Sequence, residues 1–93
     1  MEEELMSIMK ALYNPITKTS KEIDAINLTN SDYRMKLGIV DFTDERFPVL
    51  MKILMDTKYV IMNEITNYRQ MPTYSLDARG IYVIEKNLPL LLG

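Results

Sequence analysis

The chain has no cysteine and no histidine among its 93 residues. Without cysteine there is neither a disulfide nor a thiolate zinc site. Without histidine the commonest general base and the commonest transition-metal ligand are both missing. Three glycines supply no glycine-rich phosphate loop, and no nucleophile has a base beside it. Carboxylates such as Glu22 and Asp24 do not have the arrangement of a catalytic or metal constellation. These absences point away from an enzyme, and no cofactor or metal is expected. No apolar run approaches the roughly 20 residues needed to span a bilayer. Glu2, Glu3 and Glu4 are the opposite of the basic start of a signal peptide, so a cytoplasmic protein with no membrane partner is expected.

An excess of positive charge is missing too. Eleven lysines and arginines face thirteen acids, for a net charge of −2. Nucleic-acid binders usually carry a basic excess, because phosphate neutralisation supplies most of their affinity. An acidic total lowers the expectation of DNA binding without forbidding it, since positive charge can gather on one face. What is present is ordinary for a folded domain: 47% hydrophobic and 26% charged residues. With no repeat, low-complexity tract or linker, residues 1–93 read as a single domain with one modest core.

The first helix is announced by Leu5, Ile8, Met9 and Leu12, an apolar stripe at three- and four-residue spacing. Its acidic first turn suits the helix dipole, and Asn14-Pro15 is expected to stop it. Residues 16–19 read as a short strand or an extended linker. Thr19 and Glu22 have the spacing of a capping box, opening a short helix with Ile23, Ile26 and Ala25 on its apolar side. After Leu28-Thr29-Asn30, either Asn30 or Ser31 caps another short helix through Lys36, with Tyr33 and Leu37 inward. Gly38 suits the positive φ that ends a helix. The next helix begins near residue 44, capped by Thr43 or Asp44, since Pro48 is tolerated only near a helix start. Phe47, Leu50, Met51, Leu54 and Met55 form its buried face. Tyr59 and Ile61 alternate as strand residues, residues 63–71 form a polar loop closed by Pro72, and Tyr74 and Leu76 share a strand face. Asp77 caps a last helix that packs through Ile81, Ile84 and Tyr82 and ends at Asn87-Leu88-Pro89. The methionines, among them Met6, Met9, Met35, Met51, Met55 and Met62, read mostly as core gap-fillers.

From Leu37 onward this order resembles the YjcQ-like family of small winged-helix proteins of Gram-positive bacteria and their phages. The matching pieces are Leu37-Gly38-Ile39, then Phe47, Leu50 and Leu54, then Tyr59-Val60-Ile61. Leu76-Asp77-Ala78-Arg79-Gly80-Ile81 and Glu85-Lys86-Asn87 complete them. The resemblance covers about half of the chain, and Asp77 stands where the family has threonine, another helix-capping residue. It implies an α+β, mainly α, winged helix-turn-helix fold of about four helices with a two- or three-stranded hairpin wing. Either residues 19–27 or residues 31–37 would be the first helix of the helix-turn-helix, the second leading directly into Gly38.

On that scaffold the expected partner is double-stranded DNA, bound by a phage or bacterial transcriptional regulator. The helix beginning near residue 44 would present Asp44, Glu45, Arg46, Val49, Lys52, Ile53 and Asp56 outward, with Arg46 and Lys52 as contacts to base edges and phosphates. Asn67, Tyr68, Arg69 and Gln70 would form the wing tip, where arginine can enter a minor groove or pair with phosphate. Arg79 is either a phosphate contact or a solvated charge. Lys36 adds a contact, and Lys18, Lys21, Arg34 and Lys36 together would make the basic patch that the total charge hides. The leucine-rich end, Leu88, Leu90, Leu91 and Leu92, is an apolar patch unless covered. Packing on the first helix would cover it within one chain, and a homodimer interface including Leu5 would cover it between two. The competing reading is a protein–protein interaction module on the same scaffold, using Val49 and Ile53 or the leucine tail.

Overall fold

The computed structural model describes residues 3–64 and 71–92, with side chains described through residue 87. Helix α1 (Glu3–Ala11) buries Leu5, Met6, Ile8 and Met9, with Leu12 just beyond. Glu3 and Glu4 sit in its first turn and Lys10 in its last, each charge matched to the nearer end of the helix dipole. The helix ends earlier than Asn14-Pro15, because Tyr13–Asn14 form strand β1, paired antiparallel with β2 (Thr19–Ser20). The turn between them is built by Asn14, whose Oδ1 accepts from the amides of Ile16 (3.0 Å) and Thr17 (3.3 Å).

The capping box at Thr19 does not form. Ser20 Oγ instead accepts from the Leu76 amide at 2.7 Å, and Glu22 Oε1 accepts from Thr73 Oγ1 at 2.9 Å. Ile23–Asp24 follow as strand β3, and α2 (Ala25–Leu28) is a single turn that buries Leu28 and exposes Ile26. Partners more than fifty residues away have overridden a local helix signal.

Helix α3 (Ser31–Lys36) is capped by Asn30, whose side chain accepts from the Tyr33 amide at 3.1 Å. It ends as expected at Gly38, with φ +77°. The Gly38 amide bonds the Met35 carbonyl (3.0 Å) and the Ile39 amide bonds the Arg34 carbonyl (3.1 Å), the two bonds of a Schellman ending. Helix α4 (Arg46–Asp56) begins later than residue 44 and has no side-chain cap at Glu45; Asp44 is engaged elsewhere. Pro48 lies in its first turn, where a missing N–H costs nothing. Phe47, Leu50, Met51 and Leu54 are buried. Its C-terminal end repeats the Schellman pattern, Lys58 amide to Met55 carbonyl and Tyr59 amide to Leu54 carbonyl, with Lys58 at φ +66° where α3 has glycine.

Strands β4 (Val60–Asn63) and β5 (Thr73–Leu76) pair antiparallel from Val60↔Leu76 to Asn63↔Thr73. Strand β3 pairs with the other edge of β5, Ile23↔Tyr74 and Asp24↔Thr73, giving the order β3-β5-β4. All four residues of the central strand β5 are buried. The inward residue of β4 is Val60, while Ile61 and Met62 are exposed. Helix α5 (Ala78–Leu92) runs on past Asn87-Leu88-Pro89, which was expected to end it. It buries Ile84 and exposes Tyr82. Gly80 sits where a β-carbon would lie 2.0 Å from the Tyr59 carbonyl oxygen, so glycine is what lets α5 touch the chain leaving α4.

Among the described residues the architecture is thus α+β, about half helical, with five helices rather than about four and two small antiparallel sheets. Ile8, Met9, Leu12, Leu28, Leu50, Leu54, Val60 and Ile84 form its fully buried centre. Met35 and Met62 are exposed and are not gap-fillers. Among the described residues, no helix is long and apolar enough to cross a membrane.

Candidate nucleic-acid interface

Helix α4 turns one face into the core, and its opposite face carries Pro48, Val49, Lys52, Ile53 and Asp56, all exposed. Both of the expected contact cations lie on or beside that face, and both are already paired. Arg46 grips Glu4 of α1 with two parallel bonds, Nε to Oε2 at 2.6 Å and Nη2 to Oε1 at 2.8 Å. That fork holds the Glu4 carboxyl below its usual range, chiefly through the hydrogen bond, against partial desolvation. Lys52 reaches Asp56 one turn on at 2.9 Å, and this hydrogen bond, with the attraction of the carboxylate, raises the lysine. Between the pairs, Val49 and Ile53 are 52% and 40% exposed. The surface of α4 is therefore a near-neutral stripe with two β-branched apolar residues at its middle.

Arg34 is not part of a surface patch. Its side chain is 3% exposed, donating from Nη1 to the Leu28 carbonyl at 2.7 Å and from Nη2 to Asp44 Oδ1 at 2.6 Å. The guanidinium carbon stands 4.9 Å from the centre of the Phe42 ring and 5.3 Å from that of Phe47. The two rings are nearly parallel, 9° apart. One side chain thus ties α2, the α3–α4 connection and α4 together, and it fixes how α4 is presented. Sequence reasoning missed this role. The usable signal was two phenylalanines and an aspartate within thirteen residues of an arginine, a set suited to burying a cation.

Lys36 and Lys21 remain exposed, as does Lys18 at the β1–β2 turn, where φ is +58°. Arg79 is exposed on the first turn of α5. Asn67, Tyr68, Arg69 and Gln70 lie outside the described residues. At the end of the β4–β5 pair, Asn63 Nδ2 donates to Thr73 Oγ1 (3.1 Å) and Ser75 Oγ (3.0 Å). Thr73 in turn donates to Glu22, so the three-stranded sheet is cross-linked by partly buried side chains as well as by its ladder.

Leu5 is buried in the core of the single chain. The side chains of Leu88, Leu90, Leu91 and Leu92 lie outside the described residues. Among the described residues, no group of three or more acids gathers to hold a metal ion. Compared with protein-family models, characterised proteins and solved structures, the chain has no significant match to any.

Proposed function

We propose that this chain is a small winged-helix DNA-binding protein, a non-catalytic transcriptional regulator that presents α4 to the major groove and the β4–β5 hairpin to the DNA backbone. The observation that carries this reading is the order of the sheet. The strand before the helices, β3, pairs with the far strand of the hairpin, giving β3-β5-β4. A winged helix needs that arrangement, since it fixes the hairpin beside the helix that would be read into DNA. The firm seating of α4 by Arg34 supports it further, because groove docking demands a helix of fixed angle.

The pairing of Arg46 and Lys52 with carboxylates does not disable them. Exposed ion pairs of this kind hold weakly and are screened by salt. Phosphate can take the place of Asp56 on Lys52, and with more difficulty that of Glu4 on the forked Arg46. Binding should therefore be modest and confined to low salt. The test is fluorescence anisotropy with a random duplex below about 50 mM salt. Asp56→Asn, which frees Lys52, should strengthen binding; Glu4→Gln, which removes the forked carboxylate from Arg46, should strengthen it less; and Lys52→Gln should weaken it. No complex at low salt, or indifference to all three substitutions, would overturn the reading.

A second reading is favoured by Val49 and Ile53. Two exposed apolar residues flanked by neutralised charges suit a protein surface better than phosphate. On this reading α4 docks a protein partner or a second copy of the chain. Val49→Asp would then abolish self-association in sedimentation equilibrium, or partner capture, and leave DNA affinity near zero throughout.

A further inference from the structure

The turn after α3 faces a cavity that the DNA reading does not use. It has a volume of about 370 Å³ and lies where the end of α1, the β1–β2 hairpin and the Leu37-Gly38 turn converge. Ala11, Tyr13, Pro15 and Leu37 give it an apolar lining, and Lys10 and Lys21 also line it. Its size falls at the lower end of the roughly 300–1,000 Å³ usual for small-molecule sites, which are mostly apolar with a few placed polar groups.

The charged side chains that line it, Lys10 and Lys21, are both cationic. Neither Lys10 nor Lys21 makes an ion pair among the described residues, in contrast to Arg46 and Lys52. The hydroxyl of Ser7, which also lines the space, is already satisfied, donating to the Glu4 carbonyl at 2.9 Å and accepting from the Val40 amide at 3.1 Å. The Tyr13 phenol is pushed up, first by burial and then by Glu85. Two lysine ammoniums without an ion pair among the described residues thus border an apolar space. Gly38 adds room, since a β-carbon there would meet nothing within 4 Å.

We infer that this cavity binds a small amphipathic carboxylate, its apolar body against Ala11, Tyr13, Pro15 and Leu37 and its charge between Lys10 and Lys21. The site is independent of any DNA binding. Its position against the turn that leads from α3 towards α4 makes that turn the part of the chain a ligand would touch.

The test is an amide NMR titration with octanoate, with neutral octanamide and inorganic phosphate as comparisons. Octanoate should give saturable shifts concentrated at Lys10, Ala11, Tyr13, Lys21, Leu37 and Gly38. Phosphate, charged but without an apolar body, should leave them unmoved. Octanamide should bind about tenfold more weakly than octanoate at low salt, and the double variant Lys10→Gln, Lys21→Gln should lose octanoate affinity by about the same factor. Both lysines are exposed, so the variant should keep the wild-type spectrum elsewhere. Equal affinity for octanoate and octanamide, unchanged affinity in the double variant, or shifts centred on another surface would each overturn the assignment.

Discussion

Helix α4 is joined to the rest of the chain at two ends that work by different physics. Ahead of it, the connection from α3 is nine residues long, 37–45, and is closed by side chains. Buried Arg34 collects the Leu28 carbonyl, Asp44 and the rings of Phe42 and Phe47. Behind it, the connection to β4 is short and closed by backbone. Lys58 takes the left-handed conformation, and the Tyr59 carbonyl accepts from the Asp77 amide at 3.0 Å with Gly80 pressed against it. A long connection loses more conformational entropy on ordering, so it needs a strong anchor, and a desolvated guanidinium with several partners is one. A tight connection needs only permissive residues at two positions. The first join should therefore fail when a functional group is removed, and the second when a methyl group is added.

Removing the anchor should give the largest effect. Arg34→Ala strips the buried carbonyl of Leu28 of its donor and leaves a void beside two aromatic rings. A loss of about 3 kcal/mol is expected in urea denaturation. Arg34→Lys should recover only part of it, because an ammonium cannot reach both Leu28 and Asp44 in one plane. Asp44→Asn should cost clearly less than Arg34→Ala, because the Asp44 side chain is 71% exposed and the guanidinium keeps its other partners. If the two substitutions cost the same, the anchor is the ion pair alone and not the buried cation.

At the second join, Gly80→Ala should cost about 2 kcal/mol, the range for overpacking. The added methyl meets the Tyr59 backbone oxygen at 2.0 Å, and backbone cannot swing aside as a side chain can. A cost near zero would show that α5 can slide, and that the close approach is not what seats it. The same join also offers a gain. Lys58 holds φ +66° in the position that Gly38 fills at the end of α3. Lys58→Gly should stabilise the protein by up to about 1 kcal/mol, the relieved strain exceeding the entropy of a freer unfolded chain. Gly38→Ala should cost a similar amount from backbone alone, since its β-carbon meets nothing. Thermal melts of the two variants, shifted in opposite directions, would confirm that the two helix ends are equivalent.

Each join was legible only in part: Gly38 in the first and the elements flanking the second could be read, whereas the Arg34 anchor, the left-handed Lys58 and the close approach at Gly80 could not. The stripe Phe47, Leu50, Met51 and Leu54, strands near residues 59–61 and at residues 73–76, and the glycine at 38 all follow from local rules. Those rules work where spacing within one element decides which side is buried. They failed between residues 13 and 28, where two-residue strands pair with each other and Ser20, Glu22 and Ile23 find partners on β5. The capping pattern at Thr19 and Glu22 was real as a pattern and lost to those distant bonds. Proline at 89 likewise signalled an end that α5 ignores. The candidate interface was legible in position and not in state. Nothing near Arg46 foretells that its carboxylate partner is Glu4, on another helix.

That pair gives the smallest and most selective test, because it sits at the outer edge of the first join, where the cation is exposed. The folded state holds Glu4 below its ordinary range, mainly through the hydrogen bond from Arg46. A carboxyl depressed in this way stabilises the fold at pH values above its unfolded pKa, and the contribution disappears as pH falls through the folded value. Wild type should therefore exceed Glu4→Gln slightly in stability at neutral pH, and the gap should close with acidification from about pH 5 downward. Moderate salt should narrow the same gap, since both partners are partly exposed, while leaving the cost of Arg34→Ala nearly unchanged. A gap that persists at low pH would mean that Glu4 acts through packing. A salt response as large for Arg34→Ala as for Glu4→Gln would remove the distinction between a buried anchor and a surface clasp.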